Sequence, residues 1–238
     1  MSTVGGGVNI VTNGLVLYLD ASNTKSFVSG STSLFDLTSN KYDAQLTNGP
    51  TFNSENGGSI VFDGTNDFVK GNNTFSELDG TNKATLSMWV KPTNLTTSRI
   101  LFHIPRNTTQ SNSQVLIYLR TTGQLDISVS TLPSFCRSNT GVITAGVWNH
   151  ILICFDLAQG TQANKVRPFV NGVDVFNASN VSLTTFPTSS GEIWVGEESN
   201  GYISPFLGNI SNLILYNRVL TTSVILQNFN ATRARFGL

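Results

Sequence analysis

Carboxylates are scarce in this chain, so the places where they gather are the first to examine for chemistry. The stretch FDGTNDFV, Phe62 to Val69, sets Asp63 and Asp67 around Gly64 and Asn66. Asp63, Asn66 and Asp67 could supply oxygens to a weak calcium site on a loop, since calcium takes roughly six to eight oxygen ligands, some from carbonyls. The spacing lacks the alternating acids and distal glutamate of an EF-hand loop. The same residues suit a structural turn between two short strands, with either aspartate accepting backbone N–H groups. The turn is the primary expectation and calcium the alternative.

Glycoside hydrolysis needs two carboxyl groups across the scissile bond, about 5 Å apart in the retaining mechanism. The chain has five glutamates, and the nearest candidate pair is Glu192 and Glu197, whose odd spacing on a strand sends the side chains to opposite faces. No catalytic residue is assigned, and the protein is expected not to be an enzyme. His103 and His150 lie in apolar, strand-like segments with no nucleophile elbow beside them, and read as structural groups. Gly5, Gly6 and Gly7 lack the Lys-Ser/Thr of a phosphate loop.

EIWVGEESNGYISPF offers an aromatic constellation. Strand alternation puts Ile193 and Val195 on one face and Trp194 on the other, with Glu197, Glu198, Asn200 and Tyr202 following in a loop. Trp194, Glu197, Asn200 and Tyr202 could stack on a sugar ring and bond its hydroxyls; packing in a core or a subunit contact explains them equally. A second signal is apolar residues on both faces of a strand. HILICFD alternates Ile151, Ile153 and Phe155 with Leu152 and Cys154, and Ile214 sits outward between Leu213 and Leu215. Such strands are either covered on both sides within the chain or meet another subunit.

The elements that would hold these residues are short strands. GLVLYLD, GSIVFDG, ATLSMWVKP, RILFHI, QVLIYLR, QLDISVS, VWNHILICFD, VRPFVNGVDVF, GEIWVGE and FLGNISNLILYN recur between turn signals without helical alternation, which argues an antiparallel sandwich. Thr122-Gly123 and Asn171-Gly172 are hairpin turns. One short helix is expected near residues 221–231, with Thr221 as its cap and a face of Val224, Ile225, Gln227 and Phe229. Residues 1–13, carrying the glycine triplet, read as a flexible arm, and residues 14–238 as one domain.

Charged residues are only 12% of the 238 and balance to zero, so no basic surface is offered to nucleic acid or anionic lipid. Neither is expected as a partner. The N-terminal stretch lacks the basic and apolar regions of a secretion signal, and no apolar run could span a bilayer. Cys136, placed in a loop, and Cys154, placed in a strand, are expected as free thiols.

Taken in order, GSIVFDGTNDFVKG, TLSMWVKP, WNHILICFD, VRPFVNGVDV and IWVGEESNGYISPFLGNISNLILYNRVL resemble the laminin G-like, concanavalin A-like lectin-glucanase jelly-roll family, over about residues 14–231. The resemblance implies an all-β, two-sheet antiparallel jelly-roll sandwich closed by the short helix. Pentraxin-like members hold calcium with acids where this chain has Asn112, Ser113 and Gln114, so no cofactor follows from that site. Their core disulfide falls at Met88 and Leu152 here and is absent.

The low charge, the arm and the closing NFNATRARFGL are similar to laminin G-like structural proteins of tailed phages, cyanophage-type ones especially. On that resemblance the expected role is a non-enzymatic virion surface protein, a capsid decoration or head-fibre protein made in the host cytoplasm. The alternative is a carbohydrate-binding adhesin or tail-fibre receptor-binding protein that meets a host glycan. The partners expected are the major capsid or another virion protein and further copies of the chain, in a homo-oligomer such as a trimer. Val8, Ile10, Val11 and Ile214 are the residues placed at those contacts.

Overall fold

The computed structural model describes residues 9–106, 112–131, 135–198 and 204–238. In chain order the strands are β1 (Leu15–Asp20), β2 (Ser33–Leu34), β3 (Ala44–Thr47), β4 (Thr51–Asn53), β5 (Ser59–Asp63), β6 (Phe68–Gly71), β7 (Lys83–Pro92), β8 (Arg99–Pro105) and β9 (Asn112–Leu119). There follow β10 (Leu125–Thr131), β11 (Phe135–Ser138), β12 (Asn149–Asp156), β13 (Val166–Val170), β14 (Val173–Asp174), β15 (Phe176–Ser179), β16 (Trp194–Val195) and β17 (Leu207–Tyr216). A single turn, α1 (Gln162–Lys165), precedes β13, and α2 (Thr222–Thr232) runs into a 3-10 turn over Arg233–Phe236.

The strands form two antiparallel sheets. The eight-stranded sheet has the order β14-β13-β12-β7-β17-β5-β4, with β1 also paired to β17; the nine-stranded sheet has the order β15-β11-β10-β9-β8-β16-β6-β3-β2. This is the expected jelly-roll sandwich. Alternation explains the core: Leu86, Met88, Ile151, Ile153, Phe155, Leu213 and Leu215 point inward from one sheet, and Phe102, Ile104, Val115, Ile117, Leu125 and Ile127 from the other. Burying each of these side chains contributes about 1.5–3 kcal/mol before entropy is charged against it.

Asn171 and Gly172 take φ of 52° and 79°, the left-handed pair that a type I′ turn requires between β13 and β14. Cys136 lies within β11 and not in a loop, and both thiols are free and buried. Burial pushes the Cys136 and Cys154 thiols up, to about 12 and about 11. β5 and β6 fall in opposite sheets, so FDGTNDFV is a corner between layers and not a hairpin.

The outward face of the eight-stranded sheet is a second core. Leu152, Cys154, Phe169, Ile214 and Tyr216 are buried there beneath Leu220 and Ile225, with Ile10, Leu15 and Val224 packed alongside. Next to them Trp89 stacks on Phe236 (ring centroids 4.1 Å, 22°) and Trp148 lies against the same ring (4.7 Å). Trp89 Nε1–H donates to Thr232 Oγ1 at 3.0 Å, so the indole nitrogen is satisfied inside the cluster. The strands that read as apolar on both faces are therefore covered on both sides by the chain itself.

This corrects several expectations. Ile214 is 4% exposed and faces α2, not a partner. Residues 9–13 are not a free arm: Val11 N–H donates to Asn228 Oδ1 (2.9 Å), its carbonyl accepts from Tyr216 Oη (2.9 Å), and Asn9 O accepts from Gln227 Nε2 (3.1 Å). Val8 lies outside the described residues. In α2 the buried positions are Ile225, Asn228 and Phe229, so Asn228 takes the inward place expected of Gln227. The Thr221 hydroxyl pairs with Ser223 Oγ (2.9 Å) and caps no backbone N–H.

Candidate functional site

Much of the outer face of the eight-stranded sheet is covered by α2 and residues 9–13, and among the described residues the outer face of the nine-stranded sheet is the broad sheet surface left for recognition. Register defines what it carries. Gln45, Lys70, Trp194, His103, Leu116, Ser128 and Phe135 lie in one row across β3, β6, β16, β8, β9, β10 and β11. A neighbouring row runs Ile100, Tyr118, Asp126, Arg137, Ala178. These side chains alternate with the inward core residues of the same strands.

At one end Trp194 stacks on Phe68, with centroids 4.7 Å apart and planes at 28°, and both rings are part-exposed. Lys70 Nζ lies 5.1 Å from the indole centroid and 3.6 Å from Glu192 Oε1. Trp194 Nε1 is buried and makes no hydrogen bond, so the indole offers a ligand its ring and not its N–H. β16 ends at Val195, and Gly196 takes φ of 89°. Strand alternation therefore does not extend to Glu197, and the opposite-face argument from odd spacing does not apply to it. Burial raises the Glu197 carboxyl, and the nearby Glu198 adds to the shift. Asn200 and Tyr202 lie outside the described residues, so of the expected sugar platform the structure places Trp194 and Glu197.

The middle of the face is closed. Ile100, Leu116 and Tyr118 form a small buried cluster. His103 Nε2 pairs with Ser113 Oγ at 3.0 Å, and burial pushes the imidazole down to about 4. Burial pushes Tyr118 up to about 12, with the Glu198 charge adding to it. Gln114 is fully buried and donates through Nε2 to Asp79 Oδ1 (2.8 Å) and Pro187 O (2.6 Å), a structural role in the stretch that resembles a calcium loop.

The far end carries Arg120, Asp126 and Arg137. Their positions follow from the β9–β10 hairpin and its partner β11, but isolated charges in strands gave the sequence reading no spacing rule by which to join them.

At the corner between the sheets, Asp63 Oδ1 accepts the Thr65 N–H (2.7 Å) and Asp67 Oδ2 accepts the Asp63 N–H (2.9 Å). The Thr65 N–H holds the Asp63 carboxyl low, while burial raises that of Asp67. Asn66 contributes its carbonyl to Asn48 Nδ2 (2.9 Å). Both aspartates are thus engaged as turn acceptors. Among the described residues no group of three His, Cys, Asp or Glu side chains converges as a metal site, and no helix is long and apolar enough to cross a membrane.

A profile of the concanavalin A-like lectin/glucanases superfamily matches residues 63–226. Among solved structures, the chain is similar to domain 4 of an extracellular arabinanase from Geobacillus stearothermophilus in complex with arabinotriose. That likeness has a TM-score of 0.66 and 21% identity, covering 90% of this chain and 97% of that one. It is also similar to the Trypanosoma rangeli sialidase in complex with sialic acid (TM-score 0.72, 18% identity, 99% of this chain and 36% of that one). A third likeness is to the receptor binding domain of botulinum neurotoxin type G (TM-score 0.60, 14% identity, 90% and 50%). This chain spans about a third of the sialidase and nearly all of the arabinanase domain. At these identities the likenesses establish the fold alone. No curated protein matches by sequence.

Proposed function

We propose, for a chain that belongs to the concanavalin A-like lectin/glucanases superfamily, that it is a non-catalytic glycan-recognition domain working through the outer face of its nine-stranded sheet. The observation that carries this reading is the part-exposed Trp194 on Phe68, flanked by the Lys70–Glu192 pair. A part-exposed flat ring can meet the apolar face of a sugar, while the adjoining charges accept and donate to its hydroxyls. That an arabinanase domain of the same fold is known with arabinotriose supports the reading by analogy. The function needs no cofactor.

The test is a glycan array on the purified domain followed by calorimetry on the best ligand. Trp194→Ala is expected to weaken binding about tenfold, the loss of one aromatic contact, with the melting temperature nearly unchanged. Release of reducing ends from any bound polysaccharide, abolished by Glu192→Gln or Glu197→Gln, would overturn the non-catalytic part of the reading.

Display on a virion is the second reading, and one geometric observation favours it. Residues 9–13 and α2 both lie on the outer face of the eight-stranded sheet. A domain held there turns its candidate face away from whatever carries it. Removing residues 2–8 leaves the Val11 and Asn9 contacts in place, and is expected to release the protein from phage capsids in a sedimentation assay without lowering its melting temperature. Undiminished capsid binding by the truncated chain would count against that segment as the anchor.

A further inference from the structure

Two of the chain's fourteen basic residues converge on a single buried carboxylate at the far end of the candidate face. Asp126 Oδ2 accepts from Arg120 Nε (2.8 Å) and Nη2 (2.6 Å), and Oδ1 accepts from Arg137 Nε (2.9 Å). Asp126 is 5% exposed at its side chain, whereas the arginines are 43% and 40% exposed. One arginine would neutralise the carboxylate; the second leaves the trio with a net positive charge. In a chain with 12% charged residues and a neutral total, that surplus is conspicuous.

The arrangement is also preorganised. The Arg120 guanidinium lies 5.5 Å from the Tyr118 ring centroid and that of Arg137 lies 4.3 Å from Phe135, so each plane is held by an aromatic as well as by Asp126. Arg120 Nη1 and both terminal nitrogens of Arg137 meet no protein acceptor among the described residues, leaving a planar edge of donors toward solvent. Directly opposite Arg137 in the sheet stands Ala178 of β15, exposed and too small to fill the space over that edge. The nearby Arg167–Asp174 pair is internally neutral, while Glu198, buried beside Tyr118, places a negative charge at the Arg120 end, so the solvent-facing donors of Arg137 lead the subsite.

We infer that Arg120 and Arg137 form an anion subsite that selects glycans bearing a carboxylate or sulfate group. This rests on the glycan reading above and specifies its ligand class. A carboxylate or sulfate offers two oxygens at the spacing of a guanidinium edge, which a sugar hydroxyl does not. Asp126, buried and engaged by three arginine N–H donors, acts by positioning them.

The experiment compares three probes at low and moderate salt: oligogalacturonate for carboxylate, a chondroitin sulfate oligosaccharide that adds sulfate, and neutral laminarihexaose. Wild type is expected to bind at least one acidic probe about tenfold or more tighter than the neutral one, with the margin shrinking as salt rises. Arg137→Gln should remove that margin. Arg137→Lys, which keeps the charge and loses the planar edge, should restore only part of it, and melting temperatures confirm that both variants are folded. The acidic probe preferred tells carboxylate from sulfate. Neutral binding that depends on Trp194 with no preference for either acid overturns this inference and leaves the glycan reading standing. Failure to bind any glycan removes both.

Discussion

Ile214→Lys is expected to lower the melting temperature by roughly 10 °C or more, corresponding to about 3–5 kcal/mol for an unpaired charge left in an apolar site. On the sequence alone the same substitution reads as a surface change that would loosen an oligomer. In the fold Ile214 is 4% exposed, packed among Leu152, Tyr216, Leu220 and Ile225, with Ile10 alongside. A lysine there must either shed its proton or push α2 and residues 9–13 off the sheet. The measurement is a thermal or urea melt set beside the molecular mass in solution. A variant as stable as wild type but of lower mass would show that Ile214 serves a subunit contact after all.

The error behind that expectation is instructive about what a sequence displays. Period-two alternation in β7, β12 and β17 announces two faces, and the inward set was legible because it repeats across many strands. What covers the other face is set by where α2 and residues 9–13 come to rest, and that depends on Asn228, Tyr216 and Val11 meeting over more than 200 positions of chain. No local pattern encodes such a meeting. Asp63 and Asp67 are the opposite case: their partners are two to four residues away, so turn chemistry alone anticipates them. The outward placing of Trp194 is legible because its strand alternates. The meeting of Arg120, Asp126 and Arg137 is not, because they are joined by strand register, which a single sequence does not state.

Acid should destabilise the fold well before its carboxylates are fully protonated. Burial pushes His150 down to about 3 and His103 down to about 4, against 6.5 when unfolded. The unfolded chain therefore binds protons that the native chain refuses. Stability is complete above about pH 6.5, and is lost as pH falls toward the folded values of the two imidazoles. By pH 4 the two together should cost on the order of 5 kcal/mol, a large share of the stability of an ordinary domain. Asp67 works in the other direction, since a raised carboxyl favours the native state on acidification, so it cannot be the source of the loss. His150 is the sharper probe. Its Nε2 pairs with Ser87 Oγ at 2.8 Å, its ring packs against both Trp89 and Phe229, and its Nδ1 is buried without a partner, so a second proton there has nowhere to find an acceptor. Urea titrations at pH 7, 5.5 and 4 should show the midpoint falling steadily, and His150→Asn, which can keep a bond to Ser87, should remove about half of that fall. A midpoint that stays level down to pH 4 in the wild type would mean that protons reach both imidazoles without disturbing the aromatic cluster, and that the side chains over His150 open far more readily than their packing implies.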